Sequence, residues 1–519
     1  MKNKGTNFLT VLFVVSVFLL PIHIKAQDGS LDKTFGSNGI VTTDFSESDA
    51  GFSVIVQPDG KIIVAGTSVT GFAIARYNSN GSLDNTFGVG GKQETSFKDD
   101  IHSELCTGGA AVLQTDGKIL MAGDVYFKGQ GLQGDFAVLR YNSNGTLDTT
   151  FGKGGKVTTN VSNYENHAYA IAVQADGKIL VAGDANGSAG THYGMALVRY
   201  NTDGSLDKSF NANGIIVYPL SVDSINYATA YTIAIQKDGK ILIAGGGKAA
   251  NGNITLLRFN NNGSIDNSFG NNGKVVTEVA NTELDIAYSM VLQSDNKIVV
   301  VGTTDVGGTN SNIILLRYNA NGSPDNTFGT NGMVITDVDT EDAGTSVVVQ
   351  PDGKIIAVGA SNGNIVVLRF NNNGSLDKSF NNNGKVITTI GGNSAAISVA
   401  LQPDHKIVIA GLDNDDFVVA RYNNSITSAV DEQSQFTTST WCSPNPATEI
   451  ITITTPPSLE NSTGIIRYSV VNLQGEEVMH TESDSKNISI PIHDFVSGVY
   501  TIVATCGMQR TTTMCTIAP

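Results

Sequence analysis

The chain has 519 residues, with 57 glycines, 12 prolines, 4 cysteines and a formal net charge of −16. Charged residues make up 15% and apolar residues 40% of it, which excludes a disordered chain. The acidic surplus argues against a nucleic-acid partner, four cysteines in this length exclude a disulfide-stapled miniprotein, and the glycines lack the strict third-residue period of collagen.

Residues 1–26 have the form of an export signal. Lys2 and Lys4 give a positive start, and residues 8–20 read FLTVLFVVSVFLL. Thirteen mostly apolar residues are too few for a transmembrane helix, which needs about 20, and they suit a signal-peptide core. Ala26 is the expected last residue of the signal and Gln27 the first of the mature chain. No cysteine stands at the cut, which argues against a lipid anchor. Without this segment 29 basic residues face 48 acidic ones, a net charge of −19. No later stretch reaches 18 consecutive apolar residues, so no membrane-spanning segment is expected in the mature chain.

Residues 27–424 are built from one unit repeated seven times. A hairpin-like block, Gln57-Pro58-Asp59-Gly60-Lys61-Ile62, returns at Gln114, Gln174, Gln236, Gln293, Gln350 and Gln402, at spacings of 57, 60, 62, 57, 57 and 52 residues. A second block, Arg76-Tyr77-Asn78, recurs at Arg140, Arg199, Arg258, Arg317, Arg369 and Arg421. A third runs from Gly29 to Gly36. Its aspartate, Asp32, recurs as Asp84, Asp148, Asp207, Asp266, Asp325 and Asp377, and its phenylalanine, Phe35, as Phe87, Phe151, Phe210, Phe269, Phe328 and Phe380.

Each unit reads as four short strands. In the first they are residues 39–45, 51–57, 62–66 and 72–77. Asp-Gly between β-branched runs is a hairpin signal, because glycine accepts the positive φ such turns need. The run Ile62-Ile63-Val64-Ala65 is continuously apolar, as in a strand buried on both faces. Four-stranded units of about 57 residues fit a β-propeller. The mature chain opens on the third block and the last unit ends on Arg421-Tyr422-Asn423. The N-terminal segment can therefore complete the last unit and close a ring, which leaves only short, protected edges. The expected fold is all-β: a seven-bladed β-propeller plus a small C-terminal β-sandwich.

The recurring Asp, Arg and Gln could form seven ligand sites. The preferred reading is structural, the same buried hydrogen bonds made at every junction, with the phenylalanines as wedges between blades. The loop Asn78-Ser79-Asn80-Gly81-Ser82-Leu83-Asp84 leaves calcium open, but its asparagines are neutral and Asn-Gly is an ordinary turn pair. No other cofactor is expected.

Residues 27–424 resemble the delta-60 repeat family of secreted bacterial β-propeller-like proteins, through the GSLDxTFGxxG, QxDGKIxVAG and ARYNxNG segments. Pro324 replaces the usual leucine, and Asn296 and His405 replace the hairpin glycine. The resemblance implies a fold and no established activity.

Residues 425–440 are polar and Ser/Thr-rich and read as a linker. Residues 441–519 form an all-β module, with strands expected at 450–454, 465–472, 488–492 and 498–504 and a turn at Gln474-Gly475. Ser443-Pro444-Asn445-Pro446-Ala447-Thr448, the segment 471–478 and Phe495-Val496-Ser497-Gly498-Val499-Tyr500 resemble the C-terminal sorting domain of the type IX (Por) secretion system of Bacteroidetes. That implies type IX machinery as a partner, passage of the outer membrane, and cleavage of the domain with surface attachment or release. The chain ends Thr516-Ile517-Ala518-Pro519, without the basic residue common near the end of such domains.

Cys506 and Cys515 lie in the last strand-like stretches and could pair, whereas Cys106 and Cys442 are isolated. His102, His167 and His192 are placed in irregular loops, where a lone histidine is more often solvated than catalytic. No P-loop, GxSxG or HExxH motif occurs, no zinc spacing is present, and no catalytic, cofactor or metal residue is assigned. Residues 98–109, 124–135 and 184–195 break the repeat, and all are expected on one face of the ring. Loops on rigid scaffolds carry function, so this face is the expected binding surface. The expected function is binding or adhesion to an extracellular glycan or protein by an exported, cell-surface or released propeller. The alternative is a polysaccharide lyase or hydrolase with acids converging at the ring mouth.

Overall fold

The computed structural model describes residues 27–97, 102–127, 134–162, 164–186, 193–219, 228–246, 252–279, 282–306, 310–425 and most of 442–517. Residues 1–26, read above as an export signal, and residues 426–441, most of the stretch read as a linker, lie outside these residues. The chain divides into two compact units, Met1–Ile426 and Thr427–Pro519.

The first unit is a seven-bladed propeller of four-stranded antiparallel sheets. Blade 1 comprises Ala50–Val56, Ile62–Ser68, Gly71–Tyr77 and Lys92–Thr95, in that order across the sheet. Five further sheets repeat this order. The seventh takes three strands from the end of the repeat and its fourth from the start of the chain. Ile40–Thr43 pairs with Asp416–Tyr422, Ile40 opposite Ala420 and Thr43 opposite Phe417. The N-terminal segment therefore closes the ring.

The same register corrects the sequence grouping of strands. Residues 39–45 were expected to begin the unit of the hairpin that follows, yet they are the outer strand of the preceding blade. Likewise Lys92–Thr95 pairs with Gly71–Tyr77. The cause is the third block, which folds into a tight turn against the strand before it: the Asp84 N–H donates to the Arg76 carbonyl and the Arg76 N–H to the Gly91 carbonyl. The chain is thus returned beside its own third strand.

The first strands of consecutive blades touch all the way round, blade 7 against blade 1 included. They are the innermost strands: Ala50–Val56, His102–Leu113, Asn166–Val173, Thr229–Ile235, Thr282–Leu292, Asp342–Val349 and Ser394–Leu401. Each bears a bulge at one repeated position, where the register skips Phe52, Gly109, Tyr169, Tyr231, Tyr288, Thr345 and Ile397. A bulge crowds the strand beside it. A Cβ on Gly183 would stand 1.8 Å from the His167 carbonyl oxygen, and Gly66, Gly123, Gly245, Gly302, Gly359 and Gly411 are in the same position. The bulge is why the second strand of every blade carries a glycine there.

The hairpin turn between first and second strands has φ +81° at Gly60. Asn296 and His405 adopt φ 65° and 68° at the same point. The turn geometry persists without glycine, at a steric cost of roughly 1–2 kcal/mol.

One apolar core fills each blade junction. Phe87 packs with Ile63 and Ile74 of blade 1 and with Ile119, Met121 and Leu139 of blade 2. Phe35 does the same between blades 7 and 1, beside Val408, Val419, Ile62 and Val64. The phenylalanines are wedges between blades, and the low charge fraction follows from strands covered on both faces.

The second unit has a three-stranded sheet of Cys442–Ser443, Ile450–Thr454 and Asn487–Pro491. Its other sheet is ordered Glu477–Ser483, Ile466–Val471, Gly498–Cys506, Gln509–Ile517. Ile451, Ile453 and Ile490 of one sheet share a core with Tyr468, Val470 and Ile502 of the other. The strand 477–483 escapes a sequence reading because it is mostly polar, an edge strand largely open to solvent,. The Gln474-Gly475 turn lies outside the described residues.

Candidate functional site

The residues that repeat seven times are occupied with one another. Arg76 Nε donates to Asp84 Oδ2 at 2.8 Å, and Lys61 Nζ reaches the same oxygen at 2.9 Å. The Arg76 guanidinium lies over the Phe87 ring, 4.7 Å from its centroid, and also donates to the Ser143 carbonyl of the next blade. The other six Arg–Asp pairs stand at 2.7–2.8 Å. Burial would raise these carboxyls, but hydrogen bonds from lysine and from Thr or Ser, with the arginine charge, hold them well below the usual range, to about 2 for Asp32 and Asp377. The glutamines contribute less evenly. Gln174, Gln236 and Gln402 accept from the arginine of their own blade.

In the Asn78–Asp84 loop the Asn80 side-chain oxygen accepts from the Ser82 N–H at 3.0 Å and from its hydroxyl at 2.8 Å. Asn78 donates to the Ser82 hydroxyl and to the Leu83 carbonyl. The Asn78, Asn80 and Ser82 side chains thus serve the loop's own turn, while the Ser79 and Asn80 carbonyls accept from Arg421 and from the Gly36 N–H.

Chemistry varies where the repeat varies. The bulge position lies five residues before each repeated glutamine, and it reads Phe, Gly, Tyr, Tyr, Tyr, Thr, Ile around the ring. Tyr169, Tyr231 and Tyr288 belong to innermost strands of consecutive blades. Their rings form a row, with centroids 4.9 and 5.2 Å apart and planes tilted by 53° and 54°. Tyr169 is 36% exposed.

Beside this row lies a polar network across blades 2, 3 and 4. Asp124 and Asp184 each follow the bulge-facing glycine in their second strand, where other blades have Thr, Gly, Ala or Leu. His167 Nδ1 stands 3.0 Å from Asp184 Oδ1, and the Thr229 hydroxyl donates to Asp184 Oδ2 at 2.8 Å. Asp124 accepts from the Thr107 hydroxyl at 2.5 Å, the Ala168 N–H at 3.0 Å and the Tyr126 hydroxyl at 3.3 Å. The His167 ring is 6.3 Å from Tyr126 and 6.0 Å from Tyr169. Burial pushes Asp124 up to about 6 against the pull of Thr107 and His167. Burial would lower His167, but its hydrogen bond to Asp184 and the surrounding acids raise it to about 9. Desolvation raises the Tyr126 and Tyr169 phenols.

This geometry corrects the expectation for the histidines. His167 sits in an innermost strand, half-buried and ion-paired, rather than solvated in a loop. His102 starts the strand His102–Leu113, and His192 lies outside the described residues. Residues 102–109, 124–127, 134–135, 184–186 and 193–195 of the repeat-breaking segments belong to strands rather than loops. Residues 98–101, 128–133 and 187–192 of them lie outside the described residues.

A second acidic group sits at the ring closure. Carboxylate oxygens of Asp44, Asp49 and Asp416 lie within 4.8 Å of one another and could together hold a cation. Asp49, the buried member, already accepts from the Phe45 and Phe417 N–H groups, each at 2.8 Å. Burial first, then Asp416 and Asp44, push Asp49 up to about 6 despite those two donors. Its evident task is to bind the returning N-terminal strand to blade 7.

The pairing of Cys506 with Cys515 that the sequence left open does not occur. Cys506 lies opposite Gln509, and Cys515 lies opposite Tyr500 at the far end of the same hairpin. Six residues of extended strand separate the two by about 20 Å, beyond disulfide reach.

Seven segments, 57–87, 114–151, 174–210, 236–269, 293–328, 350–380 and 402–425, match the family described as "Domain of unknown function (DUF5122) beta-propeller". Residues 443–517 match the "Secretion system C-terminal sorting domain", Por_Secre_tail. No curated protein matches the chain significantly. Among solved structures, virginiamycin B lyase from Staphylococcus aureus is 11% identical, with a TM-score of 0.43 over 74% of this chain and 98% of that one. A PL25 ulvan lyase bound to -[GlcA(1-4)Rha3S]- is 11% identical, with a TM-score of 0.42 over 73% and 95%. Drosophila Plexin A in complex with Semaphorin 1b is 11% identical, with a TM-score of 0.39 over 76% and 88%. Likenesses this distant speak to neither activity nor ligand. Among the described residues no helix is long and apolar enough to cross a membrane. The chain thus carries a DUF5122 β-propeller within residues 57–425 and a Por secretion C-terminal sorting domain at 443–517, and it is a protein exported to the cell surface or released.

Proposed function

We propose that this exported propeller is a binding protein, and that an extracellular saccharide docks at the ring axis on the face reached by the first-strand N-termini. The observation that carries this reading is the row Tyr169–Tyr231–Tyr288. Three rings at a position that is otherwise free to vary offer an apolar platform for the C–H face of a sugar ring. The polar groups beside it, Asp124, Asp184, His167, Thr107 and Thr229, form a hydrogen-bonded network at the edge of that platform. We further read the repeats as delta-60 repeats, the source as a member of Bacteroidetes, and the sorting domain as removed after passage of the outer membrane.

A glycan array with the full chain tests the binding site. Wild type is expected to retain a defined set of saccharides, and Tyr231→Ala to lose them at unchanged melting temperature. Retention of the same set by Tyr231→Ala would reject the site.

A polysaccharide lyase or hydrolase at the same place is the second reading. It is favoured by two neighbouring groups, Asp124 and His167, both displaced from their ordinary pKa values near the ring axis,. Cleavage of a polysaccharide by wild type, abolished in His167→Gln, would establish it and end the binding-only reading.

A further inference from the structure

The sorting domain holds two cysteines that meet across its core. Cys442 lies in the short edge strand Cys442–Ser443, which pairs with Ile450–Thr454 through Cys442 opposite Ile453. Cys515 lies in the last strand, Gln509–Ile517, at the edge of the other sheet. The two edges converge: the strands lie against each other, and Ala447 bridges Ile517. Both side chains belong to the domain core, with Cys442 1% and Cys515 0% exposed. The thiols face one another within hydrogen-bonding distance.

We propose that Cys442 and Cys515 form a disulfide during export, joining the first strand of the sorting domain to its last. A bacterial periplasm keeps such thiols oxidised through thiol–disulfide exchange. Two neighbouring edge strands with sulfurs in contact need only small side-chain rotations to reach bonding geometry. The oxidant is a protein dithiol oxidase in its disulfide form. The thiolate of one cysteine attacks one sulfur of that disulfide, and the thiolate of the other then attacks the cysteine sulfur so bound. The oxidant leaves as a dithiol, having taken up two electrons and two protons. Because both sulfurs are buried in the folded domain, the exchange precedes closure of the core. Cys506, half-buried near the hairpin tip, stays outside the bond.

The bond closes a loop spanning residues 442–515, nearly the whole domain. It fastens the terminal strand, an edge strand that would otherwise be held by one neighbour and the core.

The test uses the full chain exported to the periplasm of a host without this secretion system, where the sorting domain stays attached. The protein is denatured and alkylated without reductant, then digested. The expected result is one linked peptide pair joining Cys442 to Cys515, with Cys106 and Cys506 alkylated, and four alkylated cysteines after reduction. Cys506→Ser is expected to keep the linked pair, and Cys442→Ser to leave Cys515 alkylated. Reductant is expected to lower the melting temperature of the sorting domain by roughly 10 °C or more in wild type and to have no effect on Cys442→Ser. Alkylation of all four cysteines without reductant, or a linked pair involving Cys506, would overturn the proposal. Peptide mapping of wild type decides it even where a serine variant fails to fold.

Discussion

Arg421 and Asp32 are 389 residues apart in the chain and share a buried 2.8 Å hydrogen bond from Nε to Oδ2. Six other blades make this bond within one unit, eight residues apart, as in Arg76 with Asp84. Only in blade 7 does it join the two ends of the propeller. The local device of every turn is therefore also the clasp of the ring.

Asp32→Ala should consequently cost more than its counterpart Asp266→Ala. Removing one partner of a buried pair costs about 3–5 kcal/mol, and in blade 7 the loss also loosens the strand Ile40–Thr43. The expected outcome is a lower melting temperature for both variants, with new protease cleavage within residues 27–45 for Asp32→Ala alone. Equal protection of that segment in both would show that the strand pairing closes the ring without the clasp.

Gly183→Ala is expected to be among the most damaging small substitutions. Its Cβ would stand 1.8 Å from the His167 carbonyl, an approach that real structures do not tolerate. Gly239→Ala, at a hairpin turn with φ +81° and nothing within 4 Å of the added carbon, carries only the strain of its backbone angle, roughly 1 kcal/mol. Urea melts of the two variants should differ by several-fold in lost stability. A mild Gly183→Ala would mean that the bulge can relax.

Stability should fall steeply in acid. The paired aspartates have folded-state values below their unfolded one near 3.8, at about 2 for Asp32 and Asp377. Their contribution is complete above the unfolded value and is lost as pH falls through the folded ones. His167 has the opposite sign. Its folded value, about 9, lies above the ordinary 6.5, so its contribution is complete below 6.5 and is lost as pH rises through 9. Thermal melts from pH 2 to 10 should show both flanks. His167→Gln should flatten the alkaline flank and leave the acid flank unchanged.

Export offers a separate test. Deleting residues 441–519 should leave the propeller folded and abolish its delivery to the surface, with the truncated chain retained in the periplasm. Fractionation of cells carrying each form measures this. Unchanged surface delivery would remove the sorting role of the C-terminal domain in this chain.

The tyrosine row makes the narrowest demand. Tyr169→Ala and Tyr288→Ala should each weaken saccharide binding at least tenfold, while Thr345→Ala at the same bulge position of blade 6 should leave it unchanged. Titration of a saccharide retained on the array distinguishes the tyrosine side of the ring from its other side.

Much of the propeller was legible in the sequence because a repeat states its local solution seven times. The Asp-Gly hairpin, the Arg-Tyr-Asn strand end and the offset of the first block each reflect contacts within a few dozen residues, or the same contact met at the two ends. Even the residues that replace the hairpin glycine, Asn296 and His405, were visible as departures. The sorting domain was legible where its strands are apolar, as at Ile450–Thr454, and not where they are polar edges, as at Glu477–Ser483.

The candidate site was not legible, and the reason is geometric. Tyr169, Tyr231 and Tyr288 stand about 60 residues apart and look like scattered aromatics until the ring brings consecutive first strands together. His167 looked solitary because its partner, Asp184, is reached only across a strand pair, and Asp124 only across a blade boundary. The same holds for Cys442 and Cys515, at opposite ends of their domain in sequence and in contact across its core. By itself the sequence determined the unit, its copy number, the closure of the ring and the export address, because these follow from local pattern and order. Tertiary structure alone decided which strand is innermost, which glycine answers to which bulge and which varied residues meet, because those depend on distances between segments that the chain order does not encode.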